Sequence, residues 1–166
     1  SGMFAFSVWD KYEKKLFIAR DPYGIKPLYY AKSGNGYVVA SQVKAIISTE
    51  VVDQSPCPYG QGGYWLLGSV PEPYTWYRNI KSLPSGSYMW IDGEETYNKS
   101  WYSMSEIWGM DNIEENKKNV EKKVKDLIYQ SVERHLVSDV PICIFLSGGI
   151  DSTSLLAIID NIGKKN

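Results

Sequence analysis

Ser147-Gly148-Gly149-Ile150-Asp151-Ser152 is the segment whose residue types and spacing could do chemistry. Gly148 and Gly149 let the backbone approach a phosphate without side-chain obstruction. Ser147 and Ser152 add hydroxyl donors. Asp151 would repel a phosphate in direct contact, but it fits if a hard cation such as Mg²⁺ bridges carboxylate and phosphate oxygens. The run has no lysine after its glycines, so it is not the G-x-x-x-x-G-K-[ST] phosphate loop. The plain alternative is a strand-to-helix turn in which Asp151 or Ser152 caps the helix.

The flanking residues predict the elements that hold this loop. Ile142–Leu146 is continuously apolar, as in a strand buried on both faces of a parallel sheet, with Cys143 as a packing residue. Asp151–Ile162 reads as a helix, with Leu155, Leu156, Ile158 and Ile159 inward and Gly163 as its stop. An anion would then meet the free N–H groups and positive end of a helix beyond the carboxyl end of a strand. That unit is the first strand-loop-helix of an open α/β domain. Upstream, residues 114–137 predict a helix with Val120, Val124, Leu127, Ser131 and Val132 on one face. Its lysines interleave with acids and read as a solvated face. Residues 104–119 read as a polar linker.

The first half reads as a succession of short strands. They fall at Gly2–Asp10, Lys15–Arg20, Pro27–Lys32, Gly36–Ala40 and Tyr88–Asp92, the last turning at Asp92-Gly93 towards Thr96-Tyr97. Asp21-Pro22-Tyr23-Gly24 is a turn signal. Ser41 is placed to cap a short helix holding Val43, Ala45, Ile46 and Ile47. Residues 53–86 are rich in proline and glycine and are expected to resist long regular elements. The sum is an α+β part built on an antiparallel sheet, followed by an α/β part, with the division placed between 1–98 and 99–166.

Composition narrows the function. The net charge of −1 offers no electrostatic footprint for nucleic acid or an anionic membrane. No apolar run approaches the roughly 20 residues of a membrane span. Two cysteines, Cys57 and Cys143, are too few for a disulfide scaffold and lack neighbours at zinc-ligand spacing, so a reducing cytoplasm is expected. The 13 tyrosines and 6 tryptophans could stack on sugars, but they spread along the chain as sheet residues do.

The Ser-Gly-Gly-x-Asp-Ser run resembles the pyrophosphate loop of the ATP pyrophosphatase superfamily, whose members split ATP between the α and β phosphates. Other segments, in order, resemble glutamine-dependent asparagine synthetases. They are Gly2-Met3-Phe4-Ala5-Phe6, Ala19-Arg20-Asp21, Gly24 to Tyr30, Ala40-Ser41, Lys44-Ala45-Ile46, Gly68 with Val70-Pro71, Leu83-Pro84 with Gly86, and Leu136 to Pro141. The resemblance implies the late part of a class II glutaminase domain, Ntn-hydrolase-like, then the start of a Rossmann-like ATP pyrophosphatase domain. It implies glutamine, aspartate and ATP as small-molecule substrates, Mg²⁺ as cofactor, and no nucleic-acid or membrane partner; a homodimer is left open. Ser147, Gly148, Gly149, Asp151 and Ser152 would hold pyrophosphate, with Asp151 acting through Mg²⁺ and Phe145 and Leu146 at the strand end near the nucleotide. Departures stand at Gln42, where a glutamate is usual, and at the glycine-rich 59–64.

Class II enzymes use an N-terminal cysteine as nucleophile, which Ser1 does not replace, because Gly2-Met3-Phe4 matches an interior strand. No catalytic residue is therefore assigned in this chain, and the chain alone is expected to be inactive. Arg20 and Asp21 are read as a scaffold pair across a hairpin mouth, Lys26 as a surface or turn residue, His135 as packing or surface, and Asp139 as a helix-end acceptor. The alternatives are an amidotransferase acting on another carboxylate, such as a sugar acid, a non-catalytic scaffold that keeps the fold, and a carbohydrate-binding β-domain.

Overall fold

The computed structural model describes residues 2–34, 36–108 and 116–164. The chain forms two compact units, Ser1–Met110 and Asp111–Asn166.

In the first unit every strand pairing among the described residues is antiparallel. One sheet runs β1-β2-β6-β7, from Ala5–Asp10, Lys15–Arg20, Ser87–Asp92 and Glu95–Ser100. The other runs β4-β3-β5, from Gly36–Ala40, Tyr29–Ser33 and Ile80–Ser82. Alternation along each strand sorts the side chains. Leu16, Ile18, Met89 and Ile91 of the first sheet meet Tyr30, Tyr37 and Val39 of the second, with Leu28 and Leu83 closing the same core. The second sheet buries its other face too, where Ala31 and Ile80 pack on Ile46 of α1 (Val43–Ile47) and on Val52. Ile18, Ile46 and Ile80 are fully buried, each contributing about 1.5–3 kcal/mol of apolar transfer.

The outer face of the first sheet is aromatic. Phe17 lies 5.9 Å from Phe6 and 4.7 Å from Trp90 between ring centroids. Phe6 and Trp90 stay exposed.

Two expectations in this unit need correcting. Ser41 does not cap α1: the first turn closes from the Ala45 N–H to the Gln42 carbonyl, so Gln42 is the N-cap and no side chain caps the helix. The connector is not irregular throughout, because Pro58–Leu67 forms the ten-residue helix α2. Pro58 sits in the first turn, where its missing N–H costs nothing, and the Cys57 Sγ accepts from the Gly60 N–H at 3.5 Å. Its glycines serve close packing, not breakage: a Cβ on Gly60 would lie 1.9 Å from the Thr75 carbonyl oxygen.

Residues 104–108 of the expected linker form α3 (Met104–Trp108); residues 109–115, with Glu114 and Glu115 of the expected long helix, lie outside the described residues. In the second unit, α4 (Lys117–His135) starts at Asn116, whose side-chain oxygen accepts the Lys118 N–H at 3.1 Å. It stops at His135, well before Pro141. Ile142–Leu146 forms no strand, and Cys143 and Phe145 are exposed, contrary to the buried strand expected. A strand exists only through a neighbour's ladder, and no described residue supplies one here. Leu155 and Leu156 of α5 (Ile150–Gly163) are likewise exposed rather than inward.

Candidate functional site

The residues singled out for chemistry lie on a turn that opens α5. Gly148 takes φ +78, a left-handed conformation that a side chain would strain. Gly149 follows as N-cap in extended geometry, and no side chain caps the helix. Its first-turn N–H groups therefore stay open to an outside acceptor, at the helix's positive end. The turn holds itself together with hydroxyls. Ser147 Oγ accepts the Gly149 N–H at 3.4 Å and lies 3.2 Å from Ser152 Oγ, which donates to the Gly149 carbonyl at 3.2 Å. Both serines, both glycines and the helix start thus converge within one turn.

Asp151 stands exposed in that first turn and Ser152 is half-buried. Neither is the helix cap. Phe145 and Leu146 precede the turn as exposed side chains on a segment outside any helix or strand. Among the described residues no group of three or more His, Cys, Asp or Glu gathers as a metal site. One carboxylate beside an open anion cradle does suit Mg²⁺, which keeps its waters and is held largely by substrate phosphates. The residues present fit a phosphate-bound Mg²⁺.

A second cluster lies in the first unit, around a buried guanidinium. Arg20 does not pair with Asp21. Its Nε donates to the Lys26 carbonyl at 2.8 Å, and one terminal nitrogen donates to the Gly24 carbonyl at 2.8 Å. The other reaches Glu72, Ser82 Oγ and the Leu83 carbonyl at 2.5, 2.9 and 2.7 Å. The Asp21 carboxylate instead accepts the N–H groups of Tyr23, Ile25 and Lys26 at 2.9–3.1 Å. Burial pushes the Asp21 carboxyl up, but those backbone donors outweigh it and hold the carboxyl below its usual value. All these donors and acceptors are spent within the fold, so the cluster shapes the 21–27 turn and leaves no group for a substrate. Glu72, its acidic member, carries no sequence signal, because a glutamate between two prolines in a loop is unremarkable.

His135 is exposed, with Nδ1 2.7 Å from the Ser131 carbonyl one helical turn back. At the helix end it is Ser138 Oγ, not Asp139, that accepts the Val140 N–H, at 3.2 Å.

These features define an antiparallel α+β unit with a buried polar scaffold, followed by a helical unit with an open anion cradle. Residues 1–102 match the model of the glutamine amidotransferase domain family, and residues 123–165 match that of asparagine synthase. The chain belongs to the glutamine amidotransferase domain family. It is 35% identical over 162 residues to asparagine synthetase [glutamine-hydrolyzing] 1 of Bacillus subtilis (strain 168), covering 95% of this chain and 24% of that protein. It is 32% identical over 161 residues to asparagine synthetase B [glutamine-hydrolyzing] of Escherichia coli (strain K12), covering 95% and 23%. It is 31% identical over 163 residues to a putative asparagine synthetase [glutamine-hydrolyzing] 2 of Methanocaldococcus jannaschii, covering 96% and 31%. The chain thus spans about a quarter of the length of the curated relatives it matches.

Proposed function

We propose that this chain is the portion of a glutamine-hydrolysing asparagine synthetase that joins its ammonia-producing part to its ATP-using part. In the first, belonging to an Ntn-hydrolase-like glutaminase, glutamine is hydrolysed to glutamate and ammonia. In the second, of Rossmann-like ATP pyrophosphatase type, an aspartate carboxylate oxygen attacks the α-phosphorus of ATP, forming β-aspartyl-AMP and expelling pyrophosphate. Ammonia then attacks the β-carbonyl and AMP leaves, giving asparagine. The reaction suits a reducing cytoplasm, where glutamine, aspartate and ATP are at hand.

The observation that carries this reading is the uncapped start of α5 directly behind Gly148-Gly149, in a chain whose matched relatives are named for this activity. Gly149 and the first-turn N–H groups would take pyrophosphate oxygens, Ser147 and Ser152 would turn their hydroxyls to the same anion, and Gly148 would shape the turn. Phe145 and Leu146 would border the nucleotide. Mg²⁺, when bound, supplies charge neutralisation between the Asp151 carboxylate and the phosphates.

The test is pyrophosphate release by the full-length protein with Mg-ATP, glutamine and aspartate, each then omitted singly. Pyrophosphate that requires aspartate, with asparagine formed, upholds the reading. Pyrophosphate that requires a different acid moves the acceptor and keeps the mechanism. No pyrophosphate across a panel of acids from a folded protein would sink it.

A further inference from the structure

Trp101 and Tyr102 are held to the first unit where the β6–β7 register runs on past the Ser87–Ser100 pair. Both backbone N–H groups donate to the Gly86 carbonyl, at 2.8 and 3.2 Å. The Gly86 N–H donates in turn to the Asp21 carbonyl at 2.8 Å. The Tyr23 and Tyr102 hydroxyls lie 3.0 Å apart, with the rings edge to face and 5.6 Å between centroids. Gly86 sits at φ +59, and a Cβ there would fall 2.6 Å from the Tyr102 carbonyl oxygen. Only glycine allows the departing chain to come so close.

Past Tyr102 the bonding changes. Among the described residues, 103–108 hydrogen-bond only to one another, through the Ser103 and Ser105 hydroxyls at 2.8 Å and from the Ile107 N–H to the Ser103 carbonyl at 3.3 Å. Local stability follows the density of such tethers, and those to Gly86 and Tyr23 end at Tyr102.

We propose that Gly86 and the Asp21–Gly24 turn form a clamp on the departing chain, which makes Tyr102 a fixed pivot for the segment that follows. The clamp draws on three places distant in sequence, near residues 21–23, 86 and 101–102. Its grip therefore depends on the order of the turn that Asp21 holds with its carboxylate. If the turn loosens, the last fixed point of the chain retreats to the end of β7 at Ser100. The device needs no assumption about the reaction, so it stands or falls apart from the proposed function.

The experiment is amide hydrogen exchange by mass spectrometry on the full chain carrying Gly86→Ala or Tyr23→Phe. Exchange at Trp101 and Tyr102 is expected to rise on the order of tenfold in Gly86→Ala and about two- to fivefold in Tyr23→Phe, with residues 16–20 unchanged. Unchanged exchange at 101–102 in both variants would overturn the clamp. Acceleration spread equally over 16–20 would mark general loosening and overturn it as well. Should Gly86→Ala fail to fold, Tyr23→Phe decides alone, since it removes a single hydroxyl.

Discussion

The buried guanidinium of Arg20, at the end of β2, is paired at 2.5 Å with the half-exposed carboxylate of Glu72, 52 residues further along the chain. The two ends of this pair differ in consequence. Arg20 also satisfies three carbonyls and a hydroxyl, so Arg20→Ala orphans several buried acceptors and is expected to cost about 3–5 kcal/mol. Glu72→Gln keeps an acceptor and is expected to cost only about 0.5–1.5 kcal/mol. Thermal unfolding of both variants checks the order; equal losses would contradict it.

Asp21 contributes to the acid sensitivity of the first unit. Its carboxyl titrates lower in the folded chain than in the unfolded one, so the folded state holds its proton less tightly. The resulting stability is present above the unfolded value of about 3.9 and is lost as pH falls through the lower, folded value. Asp21→Asn is expected to destabilise the chain at neutral pH by about 1–3 kcal/mol, because an amide N–H₂ would face backbone donors. Acid titration of unfolding should be steeper below pH 4 in the parent chain than in the variant.

The glycines of α2 should split by environment. Gly60→Ala drives a methyl into the Thr75 carbonyl and is expected to cost about 2–4 kcal/mol or prevent folding. Gly62→Ala meets nothing within 4 Å in mid-helix and is expected to stabilise by about 0.5–1 kcal/mol. Circular dichroism melts distinguish the two; stabilisation by both would show that α2 does not pack on residue 75.

At the anion cradle, stability and binding should separate. A Cβ on Gly149 meets only Ser147 Oγ, at 3.5 Å, at an ordinary φ of −75, so Gly149→Ala is expected to leave the melting temperature within about 2 °C. In the full-length protein it should nevertheless weaken Mg-ATP binding by about tenfold or more, since the methyl occupies the phosphate's approach. Unaltered ATP affinity in calorimetry would remove Gly149 from the site.

Asp151→Asn should lower aspartate-dependent pyrophosphate release by at least about a hundredfold while glutamine hydrolysis proceeds, because its proposed Mg²⁺ role concerns only the ATP half. A parallel fall in glutaminase rate would instead point to a folding defect.

Local pattern by itself determined much of this chain. Lys15–Arg20 and Gly36–Ala40 form strands over the residues their composition predicts, because β-branched and aromatic residues between turn signals have few other conformations that bury them. The Asp21–Gly24 turn closes as its proline and glycine require, with the Gly24 N–H donating to the Asp21 carbonyl at 3.1 Å. The glycine pair before α5 is equally local: a left-handed residue and an extended one end a segment and start a helix. Tertiary structure decided the rest. Local propensity argues against a helix at Pro58–Leu67, and packing of Gly60 and Gly63 against Thr75 and Pro71 overrides it. Arg20 turns from its sequence neighbour to Glu72, because a buried guanidinium needs acceptors that only distant segments can place around it. Ile142–Leu146 marks the converse limit. Its composition is that of a strand, yet it joins no sheet and is largely exposed, since a β-strand is a relation between segments and none of the described residues offers the other half.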